Sequence, residues 1–352
     1  MKRIVLAGAG HAHAVVLAEL AKEPLYGATL TLVSPYREQL YSAMLPGVIG
    51  GHYRRAEAEF DVTRLAKAAH AEHIVGSIVA LDPKRRVVKL DNRAEVAYDV
   101  LSLNVGSRVD DSVPGAVEYA ISVKPFEALF DKLRGSSHVA IAGGGASGAE
   151  LAMAMRYAGA EVTLFAEPNG LGGNLGRRVA AALRRARVDY RPGMRVDAIG
   201  KGPLVLSGSA RQEFDRVVLA TGAAPLGFFA RSGLALDAKG FVLVDEYMRS
   251  VSHPEVFALG DCAALAEAKS GVHAVRQGAV LERNLRHLVK EEPLEPYHAG
   301  RRALLILTCG ARYAIAARGA LAAEGRWVWW WKNWIDRRWL ARLNDPLARR
   351  GQ

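Results

Sequence analysis

Hydrophobic and polar positions along this chain follow patterns that predict a mainly parallel α/β fold. Residues 4–7 form a continuous apolar run, a glycine turn follows, residues 13–21 have helical periodicity, and residues 29–33 form a second apolar run. Continuous apolar runs of this length are typical of parallel strands that are buried on both faces. The first 34 residues therefore predict one unit of strand, helix and strand.

The same pattern returns in the middle of the chain. A strand is predicted at residues 138–142, a helix at 149–157 and a second strand at 161–165, with the turn GGGASG between the first strand and the helix. The two glycine turns are too far apart for a solenoid repeat. They fit two separate dinucleotide-binding domains.

The remaining patterns complete both halves and add a tail. Strands are predicted at 75–81, 86–90, 98–104, 204–206, 217–220 and 256–259, a helix at 274–288, and tail strands at 303–308 and 313–317. We expect two Rossmann-like domains, with residues 1–112 and 238–300 forming the first and residues 113–237 inserted in it. Residues 301–352 are expected to add strands and a Trp-rich amphipathic helix.

The glycine turns indicate pyrophosphate binding, because backbone N–H groups and the positive end of a helix can approach the phosphates there. Gly143, Gly145 and Gly148 match GxGxxG in full. Gly8 and Gly10 match only its first two places, and His13 occupies the third, where a small residue usually allows close packing. The alternative, two plain turns in a doubly wound sheet, explains less well why both occur in the same context.

The residue that binds the adenosine ribose decides between NADH and NADPH. The first unit has no acidic residue at the end of its second strand, which finishes at Ser34. The second unit has Glu167, one place beyond the usual strand-end position, and this favours NADH. Arg177 and Arg178 follow the glycine-rich loop 168–176 directly and could bind a 2′-phosphate. NADPH therefore stays open as the alternative nucleotide.

Composition limits the compartment and the chemistry. The two cysteines, Cys262 and Cys309, form no disulfide or zinc pattern, and we expect no metal site. The N-terminal apolar run is too short for a secretory signal, and no window is long enough for a transmembrane helix. We expect a cytoplasmic protein, either free or on the inner face of the membrane.

Charge and aromatic residues meet in the tail. The chain has 47 Lys and Arg against 36 Asp and Glu, a net charge of +11, and most of the excess lies in residues 301–352 with all six tryptophans. One arc of the predicted helix holds Trp327, Val328, Trp330, Trp331, Trp334 and Ile335, with Trp329, Asn333 and Asp336 opposite and Lys332 at its edge. We expect residues 327–343 to bind an anionic membrane surface, with packing on the first domain or a homodimer as alternatives, and no nucleic acid.

Several motifs together resemble the pyridine nucleotide-disulfide oxidoreductase superfamily. They are the two turns, the strand end at Thr221-Gly222, and Gly260-Asp261, in the family's order over residues 1–290. The strings GAGHAHAVVL, LYSAMLPG, GHY, VKP and AVRQG resemble the branch found alone or fused ahead of selenide, water dikinase. That branch is similar to type II NADH:quinone dehydrogenases.

The resemblance implies that the first domain binds FAD and the inserted one NAD(P)H. With the turns, it assigns FAD to Gly8, Gly10, His11, Ala12, Ser34, Ser42, Met44, Pro46, Gly106, Gly260, Asp261 and Gln277. It assigns NAD(P) to Gly143, Gly145, Ser147, Gly148, Glu150, Glu167 and Gly222, with Glu150 facing the nicotinamide carboxamide. Gln277 is expected to head a helix beside the flavin. Lys124 is either a solvated turn residue or a group that stabilises the anionic reduced flavin.

The expected reaction is hydride transfer from NAD(P)H to FAD, followed by electron transfer to a quinone-like acceptor. Dithiol chemistry is excluded because the chain lacks the redox cysteine pair that the disulfide reductases use. Two alternatives stay open: a flavin-bearing redox sensor or accessory protein linked to selenium metabolism, and a soluble reductase of a small organic acceptor.

Overall fold

Strands and helices alternate along most of the chain in a computed structural model that describes residues 1–167, 171–300 and 303–348. The strands of these ranges are β1 (Lys2–Ala7), β2 (Ala28–Ser34), β3 (Glu38–Leu40), β4 (Glu59–Asp61), β5 (Ala71–Val75), β6 (Ile78–Asp82), β7 (Val87–Leu90), β8 (Glu95–Ala97), β9 (Val100–Leu103), β10 (Arg108–Val109), β11 (Ile121–Ser122), β12 (His138–Ala142), β13 (Glu161–Ala166), β14 (Asp189–Pro192), β15 (Ala198–Gly200), β16 (Leu204–Ser207), β17 (Ala210–Glu213), β18 (Arg216–Leu219), β19 (Ala223–Ala224), β20 (Val242–Leu243), β21 (Val256–Ala258), β22 (Ala263–Ala264), β23 (Leu305–Thr308), β24 (Ala314–Arg318) and β25 (Leu321–Gly325). The helices are α1 (His11–Leu20), α2 (Leu45–Ile49), α3 (Val62–Ala68), α4 (Ala116–Tyr119), α5 (Phe126–Leu133), α6 (Ala146–Tyr157), α7 (Gly173–Arg185), α8 (Gly271–Lys290) and α9 (Arg326–Asn344).

Two five-stranded parallel sheets carry the site. The first has the order β21, β9, β1, β2, β5, and the second has the order β11, β18, β12, β13, β14. All neighbouring strands within both sheets pair in parallel. The first sheet includes β21, which follows the whole second sheet in the chain, so the predicted α/β class with two Rossmann-like units is confirmed. The domain limits at 112 and 237 stay a prediction.

Both helices that follow the glycine turns begin earlier than predicted. Helix α1 begins at His11, and α6 begins at Ala146, directly after Gly145. The glycines suggested a loop, whereas the backbone enters the helix as soon as the turn is made. The predicted strand 75–81 falls on two strands, because residues 76–77 separate β5 from β6. Of the predicted glycine-rich loop 168–176, residues 168–170 lie outside the described residues and α7 begins at Gly173.

The C-terminal segment bridges the two sheets. Strands β23, β24 and β25 form an antiparallel sheet, of which β25 was not predicted, because its sequence LAAEG has weak alternation. Strand β23 lies against α6, while α9 lies against α3 and β4 of the first half. No helix within the described ranges is both long and apolar enough to cross a bilayer.

Helix α9 buries a mixed face of apolar and charged residues and leaves several tryptophans exposed. Its buried face consists of Val328, Trp329, Lys332, Asp336, Leu340 and Leu343. Trp327, Trp330 and Trp334 are 59%, 50% and 56% exposed. Three tryptophans of the predicted arc are therefore not packed on the first domain, whereas Val328 of the same arc is buried.

Candidate active site

The first glycine turn is held against the end of β9. Gly8 has φ +88°, and a Cβ there would lie 2.5 Å from the Asn104 carbonyl oxygen. The Asn104 side chain accepts hydrogen bonds from the N–H groups of Ala12 (3.2 Å) and His13 (3.4 Å), and donates one to the Leu259 carbonyl (3.1 Å). Asn104 thus ties the start of α1 to two strands. Sequence reasoning missed it, because nothing in its local pattern marks a strand-end asparagine.

His13 replaces the third glycine of the motif with a hydrogen-bonded spacer. Its Nδ1 lies 2.6 Å from the Gly8 carbonyl oxygen, and its Nε2 lies 2.7 Å from Ser102 Oγ. Because a carbonyl only accepts, Nδ1 carries the proton and Nε2 accepts from the serine hydroxyl. Burial lowers the pKa of His13 to about 4, against the opposing effect of the Gly8 bond. The ring is therefore neutral at physiological pH.

The second glycine turn has the same close approach and leaves space for a ligand. Gly143 has φ +121°, and a Cβ there would lie 2.3 Å from the Ala220 carbonyl oxygen. A Cβ on Gly148 would lie 1.8 Å from the Gly143 carbonyl oxygen, so α6 packs tightly on the turn. A Cβ on Gly145 would meet no atom within 4 Å. This open cradle in front of the α6 N-terminus fits a pyrophosphate.

The residues assigned to FAD cluster at the carboxyl edge of the first sheet. His11 and Ala12 lie in the first turn of α1, Ser34 ends β2, Ser42 and Met44 form a 3-10 turn, Pro46 lies in α2, Gly106 follows β9, and Gly260 with Asp261 forms a 3-10 turn after β21. The elements that carry these residues follow or flank strands of the first sheet, and their assignment to FAD stays a prediction.

Lys124 joins the carboxyl edges of the two sheets. It follows β11, and its Nζ lies 2.7 Å from Asp261 Oδ2 and 3.0 Å from Ser107 Oγ. Burial alone would raise the pKa of Asp261, but the Lys124 charge and hydrogen bonds from Lys124 and Ser107 lower it overall. Lys124 is thus a partly buried, ion-paired residue, and its role towards the flavin stays a prediction. Lys269 also donates to the Asp261 carbonyl at 2.7 Å.

Gln277 does not head its helix. Helix α8 begins at Gly271, capped by Ser270, so Gln277 lies nearly two turns further on and is buried. Its Oε1 accepts from the Gly260 N–H at 2.6 Å, and its Nε2 donates to Glu267 at 2.7 Å. The cap at Ser270 starts the helix earlier than the apolar pattern indicates, and Gln277 supports the Gly260 turn.

The residues assigned to NAD(P) lie at the carboxyl edge of the second sheet. Ser147 is in the first turn of α6, Glu167 directly follows β13 and is exposed, and Gly222 follows β18. Glu150 lies one turn into α6, where its Oε1 accepts from the Thr308 N–H (2.7 Å) and hydroxyl (3.0 Å). Burial raises the pKa of Glu150, while Lys332 and Thr308 oppose that rise.

The inner face of α9 adds charged groups beside the segment 41–46. Lys332 Nζ lies 2.6 Å from Asp336 Oδ2 and 2.8 Å from the Ala43 carbonyl oxygen. Burial raises the pKa of Asp336, and the neighbouring Lys332 opposes it. Burial and the Asp336 charge raise the pKa of Tyr41, whose ring centroid lies 5.4 Å from that of His11. The wheel placed Asp336 opposite the apolar arc but could not show that this side faces the site.

The cysteines are buried and unreactive. Cys262 Sγ lies 3.1 Å from the Leu259 carbonyl oxygen, and burial raises its pKa to about 11. Burial raises the pKa of Cys309 to about 12. Both are therefore protonated thiols at neutral pH, whereas a nucleophilic cysteine has to be a thiolate. Within the described parts of the chain, no three side chains form a metal-binding group.

Known proteins are similar to this chain in sequence. Ferroptosis suppressor protein 1 of Taeniopygia guttata is 26% identical over 253 residues, which are 66% of this chain and 67% of that protein. An NADH dehydrogenase-like protein of Mycobacterium tuberculosis is 26% identical over 246 residues, 60% and 61% of the two chains. The chain thus spans about two thirds of the length of these relatives.

A solved structure has the same fold over nearly the whole chain. The sulfide:quinone oxidoreductase of Aquifex aeolicus superposes with a TM-score of 0.82 at 16% identity, covering 98% of this chain and 92% of that one. The water-forming NADH oxidase of Lactobacillus brevis superposes with a TM-score of 0.76 at 22% identity, covering 90% and 75%.

The fold and the two turns define an NAD(P)H-dependent flavin oxidoreductase with two dinucleotide-binding units, and the predicted cofactors FAD and NAD(P)H are confirmed. Residues 2–278 match the pyridine nucleotide-disulphide oxidoreductase family, and the chain belongs to it. The narrower resemblance to the branch fused to selenide, water dikinase stays a prediction.

The neutral, buried His13 predicts a specific loss of stability in acid. An unfolded histidine titrates near its ordinary value of 6.5, whereas folded His13 titrates near 4. The contribution of neutral His13 to the free energy of unfolding is complete above pH 6.5 and is lost as the pH falls towards 4. About 2 kcal/mol of it is lost between pH 7 and pH 5. Urea unfolding at both pH values should therefore show a smaller acid loss in His13→Gln than in the wild type.

The matched control is His298→Gln, which removes an exposed histidine and should leave the wild-type acid loss unchanged. Equal acid losses in His13→Gln and wild type would contradict a neutral His13.

Proposed function

We propose that this protein transfers a hydride from NADH to FAD and passes the electrons to a quinone-like acceptor. The observation that carries the proposal is the Lys124 to Asp261 contact, 2.7 Å between carboxyl ends of strands from the two sheets. Ligands of parallel sheets bind at the carboxyl ends of the strands. Two dinucleotides held by the two turns would therefore meet in one cleft.

FAD supplies the hydride-accepting chemistry when it is bound. Gly8, Gly10 and the first turn of α1 would hold its pyrophosphate, and Asp261 its ribitol. The chain's task is to hold both nucleotides in the right geometry, so no side-chain nucleophile is required. When FAD is bound, the Lys124 ammonium, paired with Asp261, would add positive charge beside it.

The preferred nucleotide is NADH. Glu167 is exposed directly after β13, where a carboxylate binds ribose hydroxyls and repels a 2′-phosphate. Arg178 is engaged by Glu324, 3.3 Å away. Arg177 lines a cavity of about 610 Å³ together with Arg184 and Tyr190, and the two arginines are the rival signal for a 2′-phosphate.

The outer face of α9 would lie on an anionic membrane surface, on the cytoplasmic side. Trp330 and Trp334 are half exposed, and the guanidinium carbons of Arg312 and Arg338 lie 5.7 Å and 5.1 Å from their ring centroids. Tryptophan flanked by arginine suits the interface between lipid headgroups and acyl chains. Quinones dissolve in the bilayer, so this surface would bring the cleft to its acceptor.

The reaction is tested by anaerobic spectroscopy of the purified yellow protein. NADH should bleach the flavin faster than NADPH, and a short-chain quinone should then restore the oxidised spectrum. In Gly145→Trp, the flavin should stay bound while NADH bleaching falls by at least about a hundredfold, because the new side chain fills the cradle.

Gly227→Trp is the matched control, since Gly227 is exposed and a Cβ there meets no atom within 4 Å. It should behave as wild type. Loss of flavin from Gly145→Trp would mean that the second glycine turn binds FAD, which reverses the cofactor assignment. If an iron–sulfur ferredoxin but not a quinone restored the oxidised spectrum, the proposed acceptor would be wrong.

The membrane surface predicts a loss of lipid binding when its tryptophans are removed. The double variant Trp330→Ser, Trp334→Ser should co-sediment about tenfold less with vesicles of phosphatidylglycerol and phosphatidylcholine, because apolar area no longer enters the interface. Tyr26→Ser, at an aromatic that is 81% exposed outside α9, should bind as wild type. Unchanged vesicle binding, or a switch from dimer to monomer in sedimentation velocity, would assign the face to another role.

A further inference from the structure

The carboxylate of Glu150 is held by a part of the chain outside its own domain. Glu150 belongs to α6, which begins at the second glycine turn, but both of its hydrogen-bond donors belong to Thr308 of β23. The N–H lies 2.7 Å and the hydroxyl oxygen 3.0 Å from the same atom, Oε1. Within the described ranges, no other hydrogen bond reaches this carboxylate.

Strand β23 is suited to this task because it is an edge strand. Its one neighbour is β24, so its outward N–H groups have no partner within the sheet. The carboxylate of Glu150 takes the N–H of Thr308, and the hydroxyl adds a second bond from the same residue. Two donors on one oxygen fix the rotation of the carboxylate and leave Oε2 free.

The charges around Glu150 favour its ionised form only in part. Lys332 of α9 attracts the carboxylate, whereas Asp336 of α9 repels it. Cys309, next to Thr308 on the chain, is a neutral thiol. The two hydrogen bonds from Thr308 therefore contribute to keeping a buried carboxylate charged and oriented.

We propose that Thr308 is a positioning residue of the pyridine nucleotide site, which holds Glu150 so that its free oxygen receives an N–H of the nicotinamide carboxamide. This inference rests on the proposed function. It makes the C-terminal sheet part of the nucleotide site, although the glycine motif and the carboxylate both belong to the inserted segment. A change in the C-terminal segment would then alter nucleotide affinity without touching the nucleotide.

The test uses the FAD-loaded protein and two readouts, the Kd of NAD⁺ from flavin absorbance changes and the NADH dependence of anaerobic bleaching. Thr308→Val keeps the side-chain shape and the backbone bond but loses the hydroxyl. We expect its Kd and its half-saturating NADH concentration to rise about five- to tenfold. Thr308→Ser, which restores the hydroxyl, should lie within about twofold of wild type.

A matched control separates this role from general loss of packing. Thr163 is a buried threonine of β13 that bonds the Asp189 carboxylate at 3.3 Å, outside the groups assigned to either nucleotide. Thr163→Val should leave both constants unchanged. In a Glu150→Gln background, adding Thr308→Val should raise the Kd of NAD⁺ by less than about twofold, because the two residues act through one interaction.

The pH dependence gives a readout that packing would not move. Glu150 accepts the carboxamide N–H best when ionised, so nucleotide binding should weaken as the pH falls through its pKa. Loss of the Thr308 hydroxyl should move this acid limb to higher pH, since a bond to the ionised form is lost. Lys332, Asp336 and Cys309 face Glu150 equally in both proteins.

The outcomes separate this inference from the proposed function. A wild-type flavin that NADH does not bleach would refute the function itself. Normal bleaching with equal Kd values and equal pH limbs in wild type and Thr308→Val would overturn the positioning role alone. The positioning role would also be overturned if Thr308→Val raised the Kd of NAD⁺ as much in the Glu150→Gln background as in the wild type.

Discussion

The close approach of each glycine turn to the first carbonyl group beyond a neighbouring strand is the contact on which the rest of the structure depends. Gly8 lies against Asn104, and Gly143 lies against Ala220, with no room for a side chain at either place. Each contact sets where a helix begins relative to the sheet edge. It thereby aims the N–H groups of that helix at the site where a pyrophosphate would bind.

From these two contacts the cleft follows. Lys124 and Asp261 join the carboxyl edges of the sheets, and in the proposed function the two helix N-termini would serve one space. The C-terminal segment adds a further side to that space, with Lys332 bonded to the Ala43 carbonyl and Thr308 bonded to Glu150. The buried face of α9 holds the Lys332 to Asp336 ion pair among apolar residues, Trp329 included, while Trp327, Trp330 and Trp334 lie on its outer face.

The sequence predicted what depends on local pattern. Strand β12 was predicted residue for residue, and both glycine turns were found, because strand apolarity and the glycine spacing are properties of neighbouring residues. The wheel of α9 identified the two arcs but not which arc is buried, since burial depends on what the rest of the chain offers. Asn104 and Thr308 were missed for the same reason: each acts on a helix that is distant along the chain.

The central claim is that hydride passes directly from the nucleotide at the second turn to the flavin at the first. The most direct measurement is the rate of anaerobic flavin bleaching, in single turnover at saturating NADH, with deuterium placed in turn at each of the two C4 positions of the nicotinamide. Direct transfer predicts slower bleaching when deuterium is at one C4 position and unchanged bleaching when it is at the other, because a fixed geometry transfers only one of the two hydrogens. Equal bleaching rates for both labelled forms and unlabelled NADH, or a flavin that NADH does not bleach, would contradict it.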